Sequence, residues 1–203
     1  MFETSLTTAL VFACGLACFA WLAVSYTKLS RLRKDIDSAF EKIDVHIKER
    51  HHLAPSLIEI VRQHTQNAHS ATSLIDNVVR TRHTMATAAE RVRAFSNDTS
   101  SINSLVNADV AFNLALENLN ALQNSHASLR NDELFKNLIK KLSAIESNFS
   151  FTHQLYNDVV NSYNNTCSTF PSLLLAGALG FRTAGTLAPT SQRATPNANL
   201  SQA

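Results

Sequence analysis

The chain has 203 residues, 45 % of them hydrophobic, and a formal charge of +2 at pH 7, which is about one domain's length with an ordinary core-forming composition. A charge so near balance, with Lys and Arg interleaved among Asp and Glu, excludes a nucleic-acid binder of the usual kind, whose footprint is a gathered basic face. Three cysteines, at 14, 18 and 167, give neither a disulfide framework nor a metal-ligand spacing.

Residues 1–5 form a short N-terminal segment, and from Leu6 to Tyr26 no residue is charged. As a helix that stretch is about 31 Å long, which matches a hydrocarbon core of about 30 Å. Leu10, Val11, Phe12, Leu16, Phe19 and Leu22 carry most of the apolar character, and the segment's insertion is favoured by roughly 2–5 kcal/mol. Trp21 and Tyr26 sit where an interfacial aromatic belt is expected. A cleaved secretory signal fits less well, because residues 1–5 carry Glu3 and no Lys or Arg. Residues 6–26 are therefore read as a transmembrane helix. Lys28, Arg31, Arg33 and Lys34 follow at once, so the positive-inside rule puts the N-terminus outside and the remaining chain in the cytoplasm. The same cluster suits anionic lipid head groups. Cys14 and Cys18 read as small residues on a helix face in preference to a bridge between copies, although a homo-oligomer stays open.

Leu29, Leu32, Ile36, Ala39 or Phe40, Ile43 and Ile47 recur at three and four, which predicts a first helix. Pro55 disfavours helical backbone at Ala54 and suits a first helical turn, so this helix is expected to yield near His51 and a second to run from Pro55 to Phe95. Its inward candidates include Leu57, Ile58, Val61, Ile75, Val78, Val79, Met85, Val92 and Phe95. Ser96 to Asn103 reads as a turn, with Asp98, Ser100 and Ser101 as cap candidates. A third helix follows through Leu105, Phe112, Leu116, Leu119 and Leu122. After a turn near Ser128–Asp132, Asn131 or Asp132 caps a fourth helix running through Phe135, Leu138, Phe149, Tyr156, Val160, Tyr163 and Cys167.

Four apolar stripes of this kind are satisfied only side by side, so the predicted fold is all-α: an N-terminal transmembrane helix followed, over residues 27–181, by an antiparallel up-and-down four-helix bundle of long helices. The apolar patch Leu173–Phe181 is too short to cross a bilayer. Residues 182–203, rich in Thr, Ala, Pro, Asn and Ser, are expected to form a disordered tail.

Chemistry-bearing patterns are sparse. His46, His51 and His52 cluster near Pro55, but neither a three- or four-ligand spacing nor a repeated Glu-x-x-His is present, so no metal and no cofactor are expected. Asp44, Lys48, Glu49 and Arg50 compose a possible polar site, yet Asp44 and Lys48 are an i,i+4 pair, and a solvated ion pair is the preferred reading. Tyr156 and Tyr163 are seven apart, as are Asn157 and Asn164; use as core rings and register-setting amides is preferred over ligand recognition. With no phosphate loop, nucleophile elbow or Cys–His arrangement, no catalysis is expected.

Two stretches go further. Tyr26-Thr-Lys-Leu-Ser-Arg-Leu-Arg33 followed by Ala39-Phe-Glu-Lys-Ile-Asp-Val-His-Ile-Lys-Glu-Arg-His-His-Leu-Ala-Pro-Ser-Leu-Ile58 resembles the signature that follows the membrane helix in the LemA family, with Ile43, Asp44, Val45, Lys48, Arg50, Pro55 and Leu57 in the matching places. Tyr156-Asn157, Tyr163-Asn164 and Phe170-Pro171, followed by Gly180-Phe181, resemble the family's C-terminal signature. Phe40 stands where relatives often carry Trp. Asn148 and His153 stand at positions near Glu146 commonly held by Arg, so an ion pair of Glu146 is not implied here. The resemblance implies a four-helix bundle on a single-pass anchor in the bacterial inner (cytoplasmic) membrane. It also implies an organising role in the cell envelope: a scaffold or adaptor binding protein partners still to be identified. The alternatives are an envelope-stress or signal-transducing regulator of membrane proteins, and an organiser of a magnetosome-like membrane.

Overall fold

The computed structural model describes residues 2–65, 69–96, 98–169, 173, 177 and 180–187, with the backbone alone at 2–11 and 70. Among the described residues all regular structure is helical and no strand occurs. The elements are α1 (Phe2–Thr65), α2 (His69–Ala94), α3 (Thr99–Ala121) with a 3₁₀ turn at Leu122–Asn124, a short α4 (Ala127–Asn131) and α5 (Glu133–Ser168).

The expected break near His51 does not occur, and no helix starts at Pro55. Instead α1 is one helix of 64 residues with Pro55 inside it, about 96 Å long. A proline within a helix deprives the carbonyl four residues earlier of its donor, which here is the carbonyl of His51. Arg82 of α2 supplies the replacement, because its Nε donates to the His51 carbonyl at 3.1 Å and its Nη2 to His51 Nε2 at 2.8 Å. A side chain distant in sequence thus repairs the ladder locally, and α2 begins at His69.

The other boundaries follow their caps. The Asp98 carboxylate accepts from the Ser101 backbone N–H at 2.8 Å, so α3 starts at Thr99 and the expected turn over 96–103 is shorter. Asp132 accepts from the Phe135 N–H at 2.7 Å and opens α5. Most of the turn expected near Ser128–Asp132 is taken up by α4.

Along α1, Leu29, Ile36, Phe40, Ile43, Ile47, Leu57 and Val61 are buried, with Leu32 partly so. This stripe packs along α5 and α2, while α2 packs along α3 and α4 touches α1. Ile75, Val78, Met85 and Val92 face in from α2, Ile102, Leu105, Phe112, Leu116 and Leu119 from α3, and Phe135, Phe149, Tyr156, Val160 and Tyr163 from α5. Val79 and Phe95, counted as inward candidates, are exposed.

The start of α1 contrasts with this core. Phe12, Leu16, Phe19 and Val24 are each 66–72 % exposed, and α1 is long and apolar enough there to cross a membrane. Trp21, Leu22 and Tyr26 are less exposed, and Tyr26 meets the Phe181 ring edge-on at 6.2 Å. Leu10 and Val11 lie in α1, their side chains outside the described residues.

Candidate functional site

Two polar constellations stand out. The first lies on the apolar stripes themselves. Arg50 falls on the α1 stripe between Ile47 and Ala54, and its side chain is wholly buried. Of the four residues read as a possible polar site, Arg50 thus lies in the core, where the preferred reading of a solvated pair does not extend. Its Nη1 donates to Glu146 Oε1 of α5 at 2.7 Å and to the Asn113 carboxamide oxygen, and its Nη2 donates to the Asp109 carboxylate of α3. The guanidinium carbon lies 4.3 Å from the Phe149 ring centroid and 6.0 Å from that of Phe112, within cation–π range. Glu146 thus does make an ion pair: its partner comes from α1, whereas the departures at Asn148 and His153 concern only α5.

Burial pulls the Arg50 guanidinium below its ordinary value, against the charge and hydrogen bond of Glu146. His153 is buried one turn along α5, its ring 4.2 Å from that of Phe149. Burial, helped by the Arg50 charge, pushes its imidazole down to about 4. Arg50 Nε and His153 Nδ1 are buried without a hydrogen-bond partner, an unfavourable arrangement for polar atoms. One guanidinium so ties α1, α3 and α5 at a single level.

Close by, Asp44 accepts from Arg93 of α2 at 2.5 Å and pairs with Lys48 at 2.8 Å. The Lys48 pair is the one expected, except that its Asp44 end is buried and not solvated; the pair with Arg93 ties α1 to α2. Burial alone raises the Asp44 carboxyl, but Arg93 and Lys48 outweigh it and hold the group below its ordinary value. Val45 is exposed, whereas Ile43 and Leu57 are core residues. His46 pairs with Glu49, and His51 serves Arg82. No three His, Cys, Asp or Glu side chains converge as a metal site among the described residues.

The second constellation joins α5 to residues 181–187, a strap without helix or strand that lies in the segment expected to be disordered. That expectation is corrected for 182–187; residues 188–203 lie outside the described residues, as do Phe170 and Pro171. Asn157 uses both ends of its carboxamide: Nδ2 donates to the Leu187 carbonyl at 2.8 Å, and Oδ1 accepts from the Leu187 N–H at 2.8 Å. Asn164 does the same to Ala184, at 2.9 and 2.8 Å. The hydroxyls of Tyr156 and Tyr163 donate to the carbonyls of Gly185 and Arg182 at 3.3 and 3.0 Å. Seven helical residues advance about 10.5 Å, and three residues of drawn-out chain advance about 10 Å. The Asn spacing therefore matches an extended backbone.

The strap also packs, with Ala184 and Leu187 buried. A Cβ at Gly185 would come within 3.1 Å of both Thr99 Cα and Ile102 Cβ on α3. A side chain there fits only if the strap or α3 gives by a few tenths of an ångström, so glycine allows the closest seating. Sequence reasoning put the rings inward, where Tyr156 and Tyr163 lie, but it gave the amides the setting of helix register and missed that they hold the strap. It missed Arg82, Arg93, Asp109 and Asn113 as well; of these, Asp109 carried a signal, since it sits on the α3 stripe between Leu105 and Phe112.

Fold and sites together define an all-helical protein whose long, apolar first helix runs into a domain fastened by one buried charge layer and one backbone-clamping asparagine pair. The chain belongs to the LemA family, whose family model matches residues 39–199, a span holding both constellations. Comparison with curated proteins gives no match.

Proposed function

We propose that this chain is a membrane-anchored helical scaffold or adaptor without catalysis, with residues 6–26 spanning the bacterial inner membrane, the N-terminus outside and the domain in the cytoplasm. The observation that carries this reading is the continuity of α1: an apolar segment with exposed side chains passes without a break into the charge-tied core of the domain. A free apolar surface of that extent in a soluble chain is a liability, and a bilayer removes it.

The pairings Asp44–Arg93 and His51–Arg82 run in opposite senses along α1 and α2, which supports an antiparallel up-and-down bundle of α1, α2, α3 and α5. Such a bundle presents long helix faces to protein partners, and Lys28, Arg31, Arg33 and Lys34 lie where anionic head groups reach them.

In the test, membranes carrying the full chain are washed with alkaline carbonate, and spheroplasts are treated with protease. Retention after the wash, protection of the domain in intact spheroplasts, and proteins cross-linked to exposed faces of α2 and α3 are expected. Release by carbonate sinks the anchor, and digestion of the domain from outside sinks the orientation. A second reading, a relay of membrane events into the domain, is favoured by the same rigid α1; cross-linking yields between α1 and α5 that change under envelope stress separate it from a static scaffold.

A further inference from the structure

We propose that the Asn157–Asn164 clamp is a receptor for extended peptide backbone and that its occupant is exchangeable: the strap of a second copy of this chain on the same membrane takes the place of the resident strap, joining two copies. This rests on the anchored reading above.

The clamp reads main chain. Its amides bond to, and its tyrosine hydroxyls donate to, backbone groups of residues 182–187. Side-chain selection within 184–187 comes from the missing Cβ at Gly185 and the buried Ala184 and Leu187. The ligand class is an extended Ala-Gly-x-Leu segment, and every copy of the chain carries one.

Reach permits the exchange. Arg182 is held by Tyr163, which lies five residues, or about 7.5 Å of helix, before Ser168. Residues 169–181 join those points; Leu173 and Gly177 are helical there and the Leu173 N–H donates to the Thr169 carbonyl at 3.0 Å, so the exchange opens that turn, and thirteen residues then stretch to about 43 Å. Two bundles in contact have axes roughly 20–24 Å apart, two helix diameters. The connection is therefore long enough for a neighbour's clamp as well as its own. Height favours the exchange too: Phe181 rests against Tyr26 at the end of the apolar segment, so copies anchored by that segment present strap and clamp at one level. The traded contacts are identical, which makes such swaps thermodynamically easy.

The experiment mixes two full-length variants in one membrane, both carrying Cys14→Ala and Cys18→Ala. The first has Thr99→Cys and Gly185→Val, whose branched side chain crowds Thr99 and Ile102 and is expected to loosen its own strap. The second has Asn157→Ala and Asn164→Ala, which disable its clamp, and Thr183→Cys. Thr99 Oγ1 lies 3.5 Å from the Thr183 carbonyl when the strap is docked, so a short bis-maleimide joins the copies if exchange occurs. The adduct is expected, and it should fall about tenfold or more when the first variant also loses both asparagines. A single chain with Thr99→Cys and Thr183→Cys must close internally; failure there overturns the clamp itself. Internal closure without any adduct between copies overturns the exchange. Should Gly185→Val lose helix by circular dichroism, the same reagent is applied to Thr99→Cys and Thr183→Cys copies with intact straps, where absence of adduct is equally fatal. Chains that wash off in carbonate remove the shared height and overturn the proposal together with the anchor; chains that resist the wash yet give no adduct overturn the exchange alone.

Discussion

Two guanidinium groups meet α1 at neighbouring residues and do opposite work. Arg50 is buried against two carboxylates, whereas Arg82 is half-buried and turned toward a neutral carbonyl and a neutral ring nitrogen of His51. The first balances charge inside the domain; the second fills a gap that Pro55 leaves in a helix. The comparison separates two kinds of buried polarity. Removing Arg50 strands charge in a low-dielectric interior, while removing Arg82 leaves two neutral acceptors of His51 near water. The expected losses differ accordingly.

The largest effect is expected for Arg50→Met, which leaves Asp109 and Glu146 without their cation. Breaking a buried pair from one side costs about 3–5 kcal/mol, read by urea unfolding of the full chain in mild detergent at neutral pH. The companion variant Arg50→Met, Asp109→Leu, Glu146→Leu replaces the layer by apolar groups and should recover most of that loss, or exceed the parent by about 1–4 kcal/mol. A triple variant no better than the single one breaks the assignment of the layer as an ion-pair cluster.

His153 sharpens the same side of the comparison. Its folded value is about 4, from burial first and the Arg50 charge second, against about 6.5 in the unfolded chain. Between those values the unfolded chain binds more protons, so stability is whole above pH 6.5 and falls as pH drops toward 4, by roughly 3 kcal/mol in all. His51, lowered by burial, Arg82 and His52, acts in the same direction. Asp44 lies below its ordinary value and gives up its contribution only at lower pH, below about 4. His153→Leu should flatten most of the slope between pH 4 and 6.5 in denaturant titrations; a slope left intact assigns it to other groups.

The fold was legible where chemistry and period coincide. Ile36, Phe40, Ile43 and Ile47 announced the α1 face, and Asp98 and Asp132 announced caps that the backbone uses. Arg50 and Asp109 were legible in principle, because each interrupts an apolar stripe at a position the stripe requires, but a single charged residue at such a place looks the same as a stripe's edge. Arg82 was not legible: nothing local distinguishes an arginine that will meet a carbonyl thirty-one residues earlier. The strap was hidden for a related reason. Residues 182–187 carry little apolar bulk, and their anchorage comes from amides on α5 that bind main chain, which composition does not register. Asn157 and Asn164 gave the spacing of the clamp without giving its ligand.

The smallest effect tests the other arm of the comparison. Arg82→Ala leaves the His51 carbonyl and Nε2 without their donors, and because the site is half-buried, water offsets part of the loss; a destabilisation of about 1 kcal/mol is expected, at the low end for an unpaired buried group. Pro55→Ala gives the helix back its own N–H, aimed at the same carbonyl, and raises helix propensity in either background. If Arg82 stands in for the missing donor, Pro55→Ala must stabilise the Arg82→Ala chain more than it stabilises the parent, with a coupling of about 0.5–1.5 kcal/mol across the double-mutant cycle. The propensity gain is common to both arms and cancels, so the coupling reports the carbonyl alone. Strict additivity means that α1 passes Pro55 without help from Arg82, and its continuity then has to be carried by the burial of Ala54, Leu57 and Ile58 on either side.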